Sequence, residues 1–345
     1  MCRSPNYMLW LGEYTKNDRP KFHFCGHHEY NRIQELVLDQ KLPFIQVPCG
    51  KCLECRIQYA RNWADRCTLE AKQYDHNYFV TLTYDDVHLP PKGSLVKQDL
   101  KAFIKRLRKK FNRDFKFKGK IRMFCCGEYG DQSLRPHYHL ILFNLPLFDL
   151  SYSFYQEVDG KMVRYERPPS KNNDLMFSQV IYDLWRETDA KRIEALGLHK
   201  GMISVGKFNY DTAAYVAQYV TKKIDPDKDK KTFYKELGIE PEFLMVSNHP
   251  GIGAKFFQDH PLLHYDGKLV IPGNGEAHLA AVPRYYDKLF QKKYGEECFH
   301  PIQAERSAKK MLNFEKDKNL GINKDQQANL KDLILKKIHH LKKCI

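Results

Sequence analysis

The chain has 345 residues, long enough to bury a substantial core, and its 10 cysteines form no small secreted disulfide framework. With 57 Lys and Arg against 42 Asp and Glu it carries a formal net charge of +15 and a pI near 9.2, which favours a polyanionic partner, nucleic acid first. No run approaches the roughly 20 apolar residues of a membrane helix, and residues 1–20 lack the features of a signal peptide, so a soluble protein of a reducing cytosol is expected.

Near the start of the chain, Cys49, Cys52 and Cys55 are separated by two residues each, a spacing that suits a metal, with Cys2 or Cys25 as a fourth ligand. The expectation is a structural zinc bound by Cys2, Cys49, Cys52 and Cys55, with plain buried thiols as the alternative. An iron–sulfur cluster would want a further cysteine soon after Cys55, and none comes before Cys67.

Residues 56–74 carry a helical pattern, and "NYFVTLTYDD" at 77–86 reads as a strand ended by Asp85, Asp86 and the Pro90-Pro91 pair. Val96, Leu100, Phe103, Ile104, Leu107 and Phe111 then recur at helical spacing, with Lys97, Lys101, Lys105, Arg106, Arg108, Lys109 and Lys110 between them. One face of that helix should pack; the other fits a solvated surface or a phosphate-binding face. A second strand is predicted over 120–130, with "HYHLILFN" at 137–144 as its antiparallel partner and Pro136 at the first strand position.

A polar, proline-containing segment at 155–174 precedes a predicted helix at 177–188, a strand at 201–208 and a helix at 211–224. "GMISVGK" at 201–207 matches most of a P-loop, but Phe208 replaces the magnesium-binding Ser/Thr, and the reading is rejected. "PGIG" at 250–253 reads as an ordinary turn or as a close backbone approach to DNA, and the tail from 303, rich in Lys, Asn and Gln, reads as helical. Without a regular βαβ rhythm, the fold class is α+β: a central antiparallel sheet with flanking helices. The expected division is a Cys-containing segment with a helix at 1–75, a core at 76–260 and an extension at 261–345.

Residues two apart on a strand face one side, so His137 and His139 present two imidazoles together. Glu128, near the end of the preceding strand, would complete a set of two nitrogens and one oxygen suited to Mn²⁺ or Mg²⁺. Alone, the pair could as well be satisfied core histidines, and Glu128 an exposed loop carboxylate. Tyr215 and Tyr219 share a helix face, with Lys222 one turn beyond Tyr219; such a tyrosine pair ordinarily packs in a core.

Taken in order, "FVTLTY" (79–84), "GEYG" with "RPHYHLILF", and "YVAQYVTKK" (215–223) resemble the three motifs of the HUH endonuclease superfamily. More closely, the chain resembles the replication initiation proteins of the Microviridae, in their gokushovirus branch. "MCRSP", "PCGKCLECR" with Trp63 and Arg66, and "SNHPGIG" at 247–253 are similar to that branch as well. The resemblance covers roughly residues 1–255 and leaves the last quarter unmatched.

The resemblance implies a bacteriophage enzyme of rolling-circle replication, acting in the cytoplasm of a bacterial host. Tyr215 and Tyr219 would alternate as nucleophiles on DNA, His137, His139 and Glu128 would hold the metal, and Lys222 would stand near the developing charge. Its partners would be single-stranded DNA, the double-stranded origin, and a host helicase and DNA polymerase, since no helicase motor is visible. Gln218 stands where a related pattern has a lysine three residues after the first tyrosine, which bears on the support for Tyr215. The alternatives are a single-tyrosine plasmid initiator, relaxase or transposase, and a zinc-stabilised nucleic-acid-binding protein without enzymatic activity.

Overall fold

The computed structural model describes residues 2, 5–14, 20–26, 44–130, 132–159, 161–168, 174–222, 230–260, 268–273, 276–302 and 306. The expected tail from 303 thus lies, apart from Arg306, outside the described residues. Strands β1 (Asn6–Tyr14), β2 (Pro20–Cys25) and β3 (Phe44–Val47) precede helix α1 (Leu53–Ala71). The central region runs β4 (Asn77–Thr83), α2 (Lys97–Arg113), β5 (Arg122–Tyr129), β6 (Pro136–Phe143), β7 (Leu150–Val158), β8 (Lys161–Glu166), β9 (Met176–Ser178), α3 (Gln179–Leu184) and α4 (Ala190–Leu196). It continues with β10 (Ile203–Lys207), α5 (Tyr210–Lys222), α6 (Lys230–Leu237) and β11 (Phe243–Val246), and α7 (Ala254–Asp259), β12 (Lys268–Ile271), β13 (His278–Ala281) and α8 (Arg284–Tyr294) follow.

Eight strands form one antiparallel sheet in the order β11-β5-β6-β4-β10-β9-β7-β8, the α+β architecture expected from the sequence. Strand alternation sorts its side chains between two helix layers. Val80, Leu82, Tyr138, Leu140 and Leu142 face α2, whose Leu100, Phe103, Ile104, Leu107 and Phe111 are all buried as its periodicity requires. Phe79, Phe124, Cys126, Ile141 and Phe143 face the other way, onto α1 and α5. There the facing helix residues are mostly small (Ala60, Ala64, Ala213, Ala214, Ala217), so both helices lie close to the sheet. A third apolar cluster, with Leu69, Phe257, Ile271, Tyr286 and Phe290, joins α1 to the segments after residue 253.

The sequence reading differs from the structure in three places. Residues 155–174 contribute to the β7–β8 hairpin, which carries exposed Val158, Val163 and Tyr165 and so lacks the apolar alternation of a half-buried pair. The helix expected over 177–188 is only Gln179–Leu184: Met176–Ser178 is a strand, and Ser178 caps the helix by accepting from the Ile181 N–H at 3.2 Å. The N-terminal sheet, in the order β2-β1-β3, has no counterpart among the elements expected from the sequence. Among the described residues no helix is long and apolar enough to cross a membrane.

Candidate active site

Strand pairing brings the predicted residues together. β5 and β6 pair so that Glu128 lies directly opposite His137 and Cys126 opposite His139, which puts Glu128, His137 and His139 on one face. On the other flank β4 sets Thr81 opposite His139. Above this face lies α5, whose start is fixed by a reciprocal cap: Thr212 N–H donates to Asn209 Oδ1 at 2.8 Å and Asn209 N–H to Thr212 Oγ1 at 3.1 Å. That cap sets the rotational phase of the helix, and Tyr215 falls against the histidines. Its ring centroid is 5.1 Å from that of His139, edge on, and 6.1 Å from Phe79, on which His139 stacks at 5.4 Å. Tyr219 follows one turn later and Lys222 ends the helix; the side chains of both lie outside the described residues.

Hydrogen bonding settles what the imidazoles offer. His137 Nδ1 lies 3.0 Å from the Arg135 carbonyl, an acceptor only, so this nitrogen carries the proton and Nε2 the lone pair in a neutral ring. His139 Nδ1 meets Thr81 Oγ1 at 3.0 Å, a contact that can hold that ring in the same tautomer. Both Nε2 atoms point at one oxygen, Glu128 Oε1, at 2.7 Å from His137 and 3.0 Å from His139. Neutral rings would set two lone pairs against a carboxylate oxygen, so the arrangement calls for a cation, a proton or a metal ion, between them.

The donor set fits a metal. Adjacent ligands of an octahedral ion at about 2.1 Å lie roughly 3 Å apart, close to the two measured separations. Glu128 Oε2 is buried and has no hydrogen-bond partner, which leaves a second carboxylate oxygen available. The Glu128 side chain is 1% exposed. Burial alone would raise its pKa, but the hydrogen bonds and charge of His137 and His139 outweigh it and hold the carboxyl below the usual glutamate value.

The site opens into a cleft of about 1010 Å³ lined by Thr81, Asp85, Arg135, His137, His139 and Tyr215 among others. Arg135, which the sequence reading passed over, pairs with Asp86 and donates to the Tyr84 carbonyl at 3.0 Å, fixing the cleft mouth. The only signal for it was its place directly before Pro136.

A second metal-competent group lies apart from this cleft. The Sγ atoms of Cys2, Cys49, Cys52 and Cys55 all fall within 4.8 Å of one another. Cys25, the other candidate for fourth member, is fully buried opposite Tyr7 in the N-terminal sheet. Burial opposes ionisation of Cys49, but the main-chain N–H groups of Cys52 and Lys51 prevail and bring its thiol down to about 7. Burial pushes the Cys55 thiol up to about 12.

The remaining marked stretch, 247–253, is a structural junction. Glu70 Oε2 accepts from the Gly253 N–H at 2.7 Å, Arg122 Nη2 donates to the Pro250 carbonyl at 2.8 Å, and Arg66 Nη2 donates to the Ile252 carbonyl at 2.9 Å. The Arg66 guanidinium is sandwiched between Trp63 and Tyr285, 4.1 Å from each ring. Gly253 has φ +82°, and a Cβ there would come within 2.6 Å of the Tyr286 hydroxyl.

Comparison with known proteins points the same way. The family model of the ORF2-type replication-associated proteins matches residues 77–224, the span from β4 through α5 and two residues beyond. The replication-associated protein ORF2 of Spiroplasma virus 4 is 34% identical over 272 residues, 76% of this chain and 73% of that protein. The replication-associated protein VP4 of Bdellovibrio phage phiMH2K is 30% identical over 263 residues, 75% and 72% of the two chains. The replication-associated protein ORF4 of Chlamydia phage 1 is 30% identical over 270 residues, 77% of this chain and 59% of that one. No solved structure matches the chain.

Proposed function

The chain belongs to the ORF2-type replication-associated proteins of phages, and from that premise we propose that it initiates rolling-circle replication by nicking and rejoining DNA through a tyrosine ester. The observation that carries the reading is the convergence of Glu128, His137, His139 and Tyr215 on one cleft. A metal-competent triad beside a tyrosine is what phosphodiester exchange requires.

In the nicking step the tyrosine hydroxyl attacks phosphorus, a Tyr–O–P bond forms to the 5′ phosphate, and the P–O3′ bond breaks. The phenolic proton is balanced by the proton that the departing 3′ oxygen takes up. One phosphoester replaces another, so no nucleotide triphosphate is consumed. A phenol with a pKa of about 10 is a weak nucleophile at neutral pH, so the site has to stabilise the developing charge. Magnesium or manganese held by Glu128, His137 and His139 supplies Lewis-acid stabilisation of the phosphoryl and leaving oxygens.

Phe79 and Tyr215 hold the His139 ring, Thr81 and the Arg135 carbonyl orient the two Nε2 lone pairs, and Lys222 adds a cation on the nucleophile's helix. Rejoining is the reverse reaction with a second 3′ hydroxyl as nucleophile. Tyr215 and Tyr219, one helical turn apart, alternate: one keeps the old 5′ end while the other cleaves the regenerated origin. Strand separation and synthesis fall to a host helicase and polymerase, in the cytoplasm of the host.

The test is covalent capture. Protein with Mn²⁺ is mixed with end-labelled single-stranded oligonucleotides tiling the replicon that encodes it and resolved on a denaturing gel. A protein band carrying the DNA 3′ of the nick is expected, abolished by His137→Ala and by the Tyr215→Phe/Tyr219→Phe pair. Tight binding without an adduct on any oligonucleotide, with either metal, would sink the enzyme reading in favour of a binding module.

A further inference from the structure

The N-terminal sheet is poorly provided for by the hydrophobic effect. Of its described side chains only Tyr7 and Cys25 are buried, while Phe24 is 57% exposed. A sheet with so little core needs another tether. The four clustered cysteines sit where such a tether would act: Cys2 precedes β1, Cys49 follows β3, Cys52 is the N-cap of α1, and Cys55 lies in its first turn.

Their geometry is that of a coordination shell. Cys52 Sγ is 3.7 Å from Cys2 Sγ, and Cys49 Sγ is 3.9 Å from Cys55 Sγ. Sulfurs on a tetrahedral ion at about 2.3 Å lie roughly 3.8 Å apart. All four are free thiols, and 47 residues separate Cys2 from Cys49.

Main-chain donors are also in place for thiolates. Cys52 N–H and Lys51 N–H point at Cys49 Sγ at 3.3 and 3.4 Å, and Cys49 N–H points at Cys2 Sγ at 3.3 Å. These bonds disperse the negative charge that four thiolates keep after binding a dication. The turn that aims them depends on Gly50, whose φ of +74° is the left-handed region that glycine enters without strain.

We propose that Cys2, Cys49, Cys52 and Cys55 form a structural tetrathiolate zinc site that clamps both ends of the N-terminal sheet to the start of α1. Zinc displaces the protons of the thiols it binds and no electron is transferred, so four soft sulfur ligands close the shell and leave no position for substrate. The ion is distinct from the one proposed at Glu128, His137 and His139, which keeps open positions and harder ligands.

Metal analysis of the full-length protein, produced with zinc supplied and passed through a mild chelator, decides the matter. About one zinc per chain is expected, retained in Glu128→Gln and Cys25→Ser and lost in the Cys49→Ser/Cys52→Ser pair. Because that pair could fail to fold, the wild type carries its own readout. Cobalt substitution should give the visible d–d and sulfur charge-transfer bands of a tetrahedral tetrathiolate, and zinc should protect four thiols from a thiol reagent. Folded wild-type protein without zinc whose four thiols react freely even when zinc is added would overturn the proposal. So would bound iron with sulfide, or a zinc content unchanged in the Cys49→Ser/Cys52→Ser pair.

Discussion

Replacing Arg122 by methionine tests the junction that ties α1 to the 247–253 stretch. Glu70 is 1% exposed and Arg122 4%; Arg122 Nε bonds Glu70 Oε1, and Nη2 reaches the Pro250 carbonyl. In Arg122→Met the Glu70 carboxylate keeps the Gly253 N–H at 2.7 Å and a long contact to the Tyr74 hydroxyl at 3.5 Å, but loses its cation. Breaking a buried ion pair from one side costs about 3–5 kcal/mol, because an uncompensated charge remains inside. For a domain of this size that corresponds to a fall in Tm of roughly 5–15 °C.

Charge neutralisation separates this cause from lost packing. Arg122→Met/Glu70→Gln keeps an acceptor for the Gly253 N–H and removes the charge, so it should recover at least half the loss. What stays lost is the Pro250 carbonyl's bond, about 1 kcal/mol. Urea unfolding followed by tryptophan fluorescence is the assay, with Trp63 and Trp185 reporting from opposite faces of the sheet. A single-variant cost below about 1 kcal/mol, or a double variant no better than the single, would refute the reasoning.

Two further outcomes follow from the hydrogen-bond pattern. Thr81→Val removes the contact to His139 Nδ1 while keeping the volume, and should weaken Mn²⁺ binding about 10- to 100-fold in a calorimetric titration without lowering the melting temperature by more than a few degrees. Glu187 accepts from Thr188 N–H, Arg192 Nε and Lys200 Nζ, and these overcome burial and bring its pKa from 4.5 down to about 2. A depressed folded-state value stabilises above the unfolded pKa, so this share of stability, on the order of 3 kcal/mol, should be lost between about pH 4.5 and pH 2. Denaturant titrations of wild type and Glu187→Gln should therefore converge as pH falls through that window, and a gap that stays constant would reject the assignment.

The parts of the site legible in the sequence were those set by local periodicity. A two-residue strand repeat places His137 and His139 on one face, and the short loop between the strands brings Glu128 opposite His137. Helical spacing likewise gave the buried face of α2. Long-range register was not legible: Thr81 meets His139 across 58 residues, and only the packing of α5 on the sheet decides that Tyr215 meets His139. The choice between Cys2 and Cys25, left open by spacing, turns on how β1 and β2 pair. One local signal was missed, the Asp159-Gly160 pair between Val158 and Lys161, a strong hairpin signature.

The residue between the two histidines explains how such a site is held. Tyr138 must point away from them, since alternate strand residues face opposite ways, and it is fully buried on the α2 side. Its hydroxyl lies 2.9 Å from the Val96 N–H, 3.0 Å from the Val96 carbonyl and 2.9 Å from the Tyr84 hydroxyl, and Tyr84 in turn bonds Asp99 on α2 at 2.7 Å. The strand is therefore anchored from behind at the position flanked by both candidate ligands. A metal centre tolerates only about 0.5 Å of misplacement before its geometry degrades. Ligands carried on a flexible loop would have to be ordered by the ion itself, at a cost in affinity. Here the back face of the sheet does the ordering in advance, so that the cation binding and phosphodiester chemistry we propose draw on a scaffold already fixed by packing.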